Sequence, residues 1–513
     1  MFDIPKCLLH LFDNDLFDGR DYAFLSSIAK QYQQKGFMPE AQINAVARLL
    51  PKYAGHLQHI PKPKQPKQKP AKVFPLSITI GKQCILRGVT PKQIKALKAE
   101  LTIDNPKYTE AVRFGRWIDG STKPKLKFFQ QGKNSFRFVR GYFNQALEIL
   151  GNPKIIDKRK VLSEIDFSFT GKLRPYQNEA IKDILKHDEG VLESGTGSGK
   201  TVMALAIISR RKQPTLILVH SKELLYQWAE RIDSFLGIKA GLVGDGHFKI
   251  KPVTIAIINS AKNNIEKLAG HFGQVCVDEC HRVPSTMFTE VVTAFDCKYI
   301  LGLSATAFRR DGLTKLIHFY IGEVRYKIEM EDLQAVGAVL KPKYIMRDTD
   351  FEFDFEDSYS KMISALTKDV ARNKLICSDI FNELQRDSGI ILVVSDRVTH
   401  CKVFSDYLVG IGVDCALLTG GTGSNDREMV VKNVQAGSVR VLISTIQLIG
   451  EGFDCNGLSV LFLTTPIASK GRLKQVVGRV LRPADGKEAI VYDYCDSVGV
   501  LERSAFKRMQ IFK

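Results

Sequence analysis

No run of apolar residues in this chain approaches the roughly 18 needed to cross a bilayer, and no C-x-x-C pair occurs among its ten cysteines. The first absence leaves no membrane span to expect. The second argues against a disulfide framework and against a zinc or iron–sulfur site; scattered thiols in apolar runs behave as small hydrophobes, and a reduced, cytoplasmic compartment follows. Cys276, Cys280 and His281 stand close together but lack a fourth ligand, so no metal is expected on them. The opening Met1-Phe2-Asp3-Ile4-Pro5 has the pattern of neither a signal peptide nor a basic transit peptide. Acidic residues are also scarce. Against 74 Lys and Arg stand only 55 Asp and Glu, a net charge of +19 over 513 residues. That surplus suits a neutral metabolic enzyme poorly and predicts attraction to a polyanion, with nucleic acid the first candidate.

What the chain does contain is a phosphate cradle. Ser194-Gly195-Thr196-Gly197-Ser198-Gly199-Lys200-Thr201 follows a short apolar run, Gly190-Val191-Leu192, and opens a helical one, Val202 to Ile208. Small residues let backbone N–H groups turn inward, the helix N-terminus adds partial positive charge, and Lys200 supplies a full one. Thr201 is positioned to offer its hydroxyl to Mg²⁺. The usual first glycine of this pattern is replaced by Ser194, a small residue that helicase-type loops often carry there.

Along the chain the texture changes several times. Residues 1–60 read as a helical N-terminal extension, with Phe24, Leu25, Ile28, Ile43, Val46, Leu49 and Leu50 at helical spacing. Residues 61–72 alternate proline and lysine and form an extended basic linker. Residues 73–157 read as a small α+β domain that binds DNA. Its Arg113, Phe114, Arg116 and Trp117, followed by Lys123, Lys125, Lys127, Phe128, Phe129, Lys133, Phe136, Arg137, Phe138 and Arg140, interleave cations for phosphates with rings for bases. The alternation Phe136-Arg137-Phe138 is equally the pattern of any half-buried strand. From about residue 168, β-branched runs apolar on both faces alternate with helical segments, which indicates parallel sheets covered by helices. Two sets of such runs imply two α/β domains, 168–345 and 346–513.

Val275-Cys276-Val277-Asp278-Glu279 supplies the partner a phosphate loop requires: an apolar strand delivering two carboxylates at its C-terminal end. Asp278 would hold Mg²⁺ through water, and Glu279 would orient and deprotonate the attacking water.

Asp278-Glu279-Cys280-His281 resembles the D-E-x-H box of superfamily 2 helicases and translocases, and further stretches fall in that family's order. Leu173-Arg174-Pro175-Tyr176-Gln177 resembles the element before the phosphate loop, in which Gln177 reads adenine and selects ATP. Ser221 and Lys222 lie in a stretch similar to the family's first backbone-gripping motif. Leu303-Ser304-Ala305-Thr306 resembles the Ser-Ala-Thr motif linking hydrolysis to strand movement, and Arg309 and Arg310 follow it within reach of phosphates. Ser444-Thr445 with Gly450-Glu451-Gly452-Phe453-Asp454 resembles a motif that touches both nucleic acid, through Thr445, and nucleotide, through Gly452 and Asp454. Gln475-Val476-Val477-Gly478-Arg479-Val480-Leu481-Arg482 resembles the last motif, whose arginines reach the γ-phosphate from across the interdomain cleft. Arg479 and Arg482 are three apart and share a helix face.

The resemblance implies two tandem RecA-like parallel-sheet domains, ATP and Mg²⁺ as cofactors, and catalytic roles for Lys200, Asp278, Glu279, Gln475, Arg479 and Arg482. The form of the last motif and the Leu303–Gly312 run look like the XPB/UvsW-type branch. The small basic domain is similar to the N-terminal domain of UvsW-type phage recombination helicases, which would place the protein in a host cytoplasm. A DNA helicase or branch-migration translocase acting on forks and junctions, with a monomer favoured, is the expectation. An RNA helicase of the same superfamily and a restriction-type duplex translocase are the alternatives.

Overall fold

The computed structural model describes residues 3–58, 74–282, 286–306, 313–355, 358–386, 389–450, 457–484 and 486–512. They belong to two compact units, Met1–Val73 and Phe74–Lys513. The first unit is helical. Helices Ile4–Asp13, Tyr22–Lys35 and Glu40–Leu49 turn Leu8, Leu11, Leu25, Ile28 and Val46 into one core. Asp3 caps the first helix by accepting from the Lys6 N–H, and Gly36, at φ 67°, ends the second in the left-handed conformation that glycine adopts without strain. The linker expected at 61–72 lies outside the described residues.

The second unit is built on three principal sheets. The smallest has five strands, in the order Phe129–Gln131, Phe136–Val139, Gln83–Arg87, Ser77–Ile80 and Lys154–Asp157. Phe136 and Phe138 point into its core with Ile78, Ile80 and Leu86, while Arg137 between them is exposed. The pleat therefore decides what the sequence left open: these two rings fill a core and are closed to bases. Arg140 is buried as well. Its Nε donates to Glu189 Oε2 at 2.8 Å, and its Nη1 and Nη2 donate to the carbonyls of Cys297 and Lys298 at 2.6 and 2.7 Å. Tyr142 packs edge-on against Phe319 at 5.7 Å. A Cβ on Gly141 would come within 2.3 Å of the His318 carbonyl oxygen, so glycine is needed for the backbones to approach so closely. This small domain thus shares its packing with the first α/β lobe.

That lobe carries eight strands, ordered His247–Lys249, Gly241–Gly244, Val253–Ile257, Thr215–Val219, Gln274–Val277, Tyr299–Ser304, Glu189–Ser194 and Val324–Ile328. All neighbours pair in parallel except the first two. The second lobe has six parallel strands, ordered Lys343–Thr349, Ile490–Asp496, Leu458–Leu463, Ile390–Ser395, Val441–Thr445 and Cys415–Leu418. Its edge strand Lys343–Thr349 crosses residue 345, so the second sheet begins before the division expected there. Helix Lys200–Arg211 buries Met203 to Ile208 against the first sheet, and helix Lys470–Val480 buries Leu473, Val476, Val477 and Val480 against the second. No helix among the described residues is long and apolar enough to cross a membrane.

Candidate active site

The loop after strand Glu189–Ser194 sits at the C-terminal edge of a parallel sheet, the usual place for ligands in α/β folds. Gly197 and Gly199 both have positive φ, at 89° and 82°, which turns the backbone into a cradle. Tyr176 Oη and Gln177 Nε2 each donate to the Ser198 carbonyl at 2.9 Å, and Gln177 Oε1 accepts from the Arg174 N–H at 2.9 Å. A Cβ on Gly199 would meet Gln177 Nε2 at 2.5 Å. The amide expected to read adenine is thus engaged in bracing the loop, and neither Arg174 nor Gln177 lines the cavity in front of it.

Lys200 Nζ donates to the carbonyls of Ser194 and Gly195, at 2.8 and 3.2 Å. Burial lowers its pKa from the ordinary lysine value, with Glu279 and Asp278 pulling the other way. The hydroxyls of Ser194 and Ser198 are buried and make no hydrogen bond. Two strands away along the sheet, Gln274–Val277 delivers the acidic pair. Asp278 Oδ1 accepts from the Glu279 N–H at 2.9 Å and Oδ2 from Trp228 Nε1 at 2.8 Å. Burial, then the neighbouring Glu279 charge, pushes its carboxyl up to about 6. Glu279 is partly buried, which pushes upward, but the nearby His281 and the Lys200 charge outweigh that and hold it below the ordinary range. Its backbone sits at φ 49°, a conformation uncommon outside glycine and found preferentially where function holds it. His281 Nδ1 lies 3.2 Å from Glu279 Oε2 and 3.3 Å from the hydroxyl of Ser304 in the Ser-Ala-Thr stretch. A single imidazole therefore joins the two motifs.

The cavity in front of these groups has a volume of about 340 Å³. Lys200, Thr201, Asp278 and Glu279 line it from the first lobe, and Gln475, Arg479 and Arg482 line it from the second. The second-lobe helix is pressed hard against the loop: a Cβ on Gly478 would lie 2.6 Å from Thr196 Cβ. Arg479 Nε donates to the Ile449 carbonyl at 3.2 Å. Trp228, fully buried and lining the same cavity, was not singled out from sequence. A buried indole N–H needs an acceptor, and that need was the one available signal.

Among the expected nucleic-acid residues, the Ser221 hydroxyl accepts from the Leu224 N–H and caps helix Lys222–Leu236, while Lys222 is exposed. Thr445 ends strand Val441–Thr445. Arg113, Arg116 and Trp117 are exposed, Trp117 at 84%, and both guanidinium groups lie over the Phe114 ring at 5.5 and 5.2 Å. Arg309, Arg310, Gly452 and Asp454 lie outside the described residues.

A phosphate loop, an acidic pair beside it and arginines from a second parallel-sheet lobe define a two-lobed, nucleotide-hydrolysing motor. Residues 170–309 match the family described as type III restriction enzyme, res subunit, and residues 372–484 match the helicase conserved C-terminal domain. A putative ATP-dependent RNA helicase of Acanthamoeba polyphaga mimivirus is 30% identical over 67% of this chain and 67% of its own length. The DNA 3'-5' translocase XPB2 of Sulfurisphaera tokodaii is 26% identical over 74% of this chain and 92% of its own. The structure of S. cerevisiae Dbp5 bound to RNA and ADP BeF3 shares the fold, at 14% identity and TM-score 0.50 over 67% of this chain and 87% of that one. The chain belongs to the superfamily 2 helicases and is an ATP-dependent helicase.

Proposed function

We propose that this helicase acts on DNA, unwinding or branch-migrating forks and junctions, with ATP and Mg²⁺ bound in the cavity between the lobes. The observation that carries the motor part is that cavity, lined by Lys200, Asp278 and Glu279 on one side and by Gln475, Arg479 and Arg482 on the other. The residues present fit a magnesium nucleotide. Buried Asp278 has its carboxyl pushed up by desolvation and by the Glu279 charge, so a cation beside it would be favoured. Mg²⁺ commonly takes only one or two protein ligands beside substrate phosphates, here Asp278 and Thr201. When bound, the ion would neutralise charge on the transferring phosphate.

The chain's own groups do the rest. Inward-turned N–H groups of the loop and Lys200 hold the phosphates, and the Gly452–Asp454 stretch would meet the nucleotide from the second lobe. Glu279, ionised, accepts a proton from the attacking water, and His281 keeps its carboxylate oriented. Arg479 and Arg482 enter from the second lobe, and such an arginine is worth roughly 10³–10⁵ in rate, or about 4–7 kcal/mol. Because the site is complete only when both lobes contribute, hydrolysis is tied to their separation. Backbone grips on the two lobes, including Ser221, Lys222, Arg309, Arg310 and Thr445, would then step along a strand.

The DNA reading rests on the basic small domain, whose exposed Arg113, Arg116 and Trp117 suit a strand with unstacked bases. An RNA substrate is the second reading, favoured by the printed name of the mimivirus relative. Unwinding of DNA forks, Holliday junctions, plain duplex DNA and RNA duplexes should be compared in wild type and Trp117→Ala. Loss of fork and junction unwinding, with nucleic-acid-free ATP hydrolysis intact, is expected. Equal unwinding by the variant would remove the small domain from substrate binding, and RNA-only unwinding would overturn the DNA reading.

A further inference from the structure

Domains of one chain are expected to move relative to each other unless an apolar interface binds them together. The small basic domain and the first lobe share a core. Phe319, on the first-lobe helix Thr314–Ile321, is buried among the small domain's own apolar residues, its ring 5.2 Å from that of Phe128 and 5.7 Å from that of Tyr142. Tyr320 beside it meets Phe128 edge-on at 6.2 Å.

Polar contacts fasten the same seam at points that a swing would break together. The side chains of Arg140 and Glu189 are only 4% and 5% exposed. The guanidinium commits its Nε to that carboxylate and its other two nitrogens to the carbonyls of Cys297 and Lys298. Pulling the pair apart without admitting water would leave two buried charges unpaired. Gln145 Nε2 donates to Glu323 Oε1 at 2.6 Å. The chain leaving the small domain is held as well. The Lys160 N–H donates to the Asp296 carbonyl at 2.7 Å, the Lys298 N–H to the Lys160 carbonyl at 2.8 Å, and Arg159 Nη2 to Asp188 Oδ2 at 2.7 Å. These anchors lie at the start of strand Glu189–Ser194 and just ahead of strand Tyr299–Ser304, whose far ends carry the phosphate loop and the Ser-Ala-Thr stretch. The second lobe, by contrast, faces the first across a cavity of about 340 Å³.

We infer that the small domain and the first lobe move as one rigid body through the ATP cycle, so that Arg113, Arg116 and Trp117 form a grip fixed to the first lobe and the second lobe alone draws the strand past it. The inference rests on the reading of the small domain as a nucleic-acid surface, and it adds how that surface moves.

Distances between spin labels on the full chain test it. Spin-labelled residues are placed at Lys92 on the small-domain helix Pro91–Glu100, at Asn263 on the first-lobe helix Ile258–Asn263 and at Lys402 on the second-lobe helix Val398–Gly410, all exposed. They are read without nucleotide and with ADP–beryllium fluoride and forked DNA. The Lys92–Asn263 distance should keep its mean and its width, while both distances to Lys402 shift. A Lys92–Asn263 distance that changes with nucleotide or DNA would overturn the inference. Three unchanging distances would overturn it equally, because the second lobe would not be the moving part. Gln145→Cys with Glu323→Cys, whose parent side chains touch, gives a functional check. Locked by oxidation, this chain should unwind forks as fast as when reduced; unwinding lost on oxidation and regained on reduction would mean that the domain swings. The underlying reading fails separately: if Trp117→Ala binds forked DNA as wild type does, the small domain is a fixed arm without a grip.

Discussion

Gly478→Ala adds a single methyl group where the second-lobe helix touches the phosphate loop. The new Cβ would stand 2.6 Å from Thr196 Cβ and 3.1 Å from its Cγ2, against about 3.5 Å for ordinary carbon contact. Thr196 is held in a loop braced by Tyr176 and Gln177, so the helix has to give by about 1 Å. Arg479 sits one residue away and Arg482 four, and both move with it. A displacement of that size at reacting groups costs on the order of 100-fold in rate, or about 2.7 kcal/mol. Local helix stability would change the other way, since alanine is favoured over glycine by about 0.8–1 kcal/mol in a helix. Stopped-flow phosphate release should therefore fall about 100-fold, while the affinity for a fluorescent ATP analogue, governed mainly by the first lobe, stays within about threefold. Removing the opposing Cβ with Thr196→Gly in the same chain should recover part of the loss. Wild-type turnover in Gly478→Ala would refute the claim that the helix is seated against the loop during catalysis.

Trp228→Phe keeps an aromatic six-membered ring but removes the N–H that holds Asp278 Oδ2. Loss of such an outer bond typically weakens metal affinity about 10–100-fold, to be read by Mg²⁺ titration against fluorescent ADP at a temperature where the variant is fully folded. His400 reports on the second lobe. Buried, with Nδ1 2.9 Å from Ser395 Oγ and Nε2 2.9 Å from Asn373 Oδ1, its imidazole is pushed down to about 3 by desolvation and then by the Arg372 charge. The folded state cannot take the proton that the unfolded chain binds below its pKa of about 6.5. Stability is therefore lost as pH falls from 6.5 toward 3, by about 2 kcal/mol at pH 5. Chemical denaturation at pH 7 and 5 should show that difference, and His400→Gln should lose most of it.

Much of the motor was legible because its chemistry is local. The glycine loop, the carboxylates at a strand end and the Arg479–Arg482 pair each declare themselves within a few residues. Helix Lys470–Val480 ends before Arg482, however, so the two arginines do not share a helix as expected. The parallel strands were legible for a similar reason: runs such as Thr215–Val219 and Val441–Thr445 are apolar on both faces. Edge strands were harder. Lys343–Thr349 is mostly half-exposed and mixes charge with apolar residues, so its membership in the second sheet is decided by pairing with Ile490–Asp496. Phe136, Phe138 and Arg140 carried a pattern shared by nucleic-acid surfaces and half-buried strands, and the five-stranded sheet resolved it toward the core. The seating of Gly478 on Thr196 was beyond reach, because the two residues are far apart in sequence, and the partner of the Trp228 N–H was hidden for the same reason. The bracing of the phosphate loop by the Gln177 amide was likewise not visible in the sequence.

The most direct test of the split site is Arg482→Ala, compared with wild type for nucleotide affinity and for single-turnover phosphate release on the same preparation. The variant should bind the fluorescent ATP analogue as wild type does and release phosphate about 10³-fold or more slowly. Turnover at the wild-type rate would mean that the first lobe hydrolyses ATP alone, and would contradict the account at its centre.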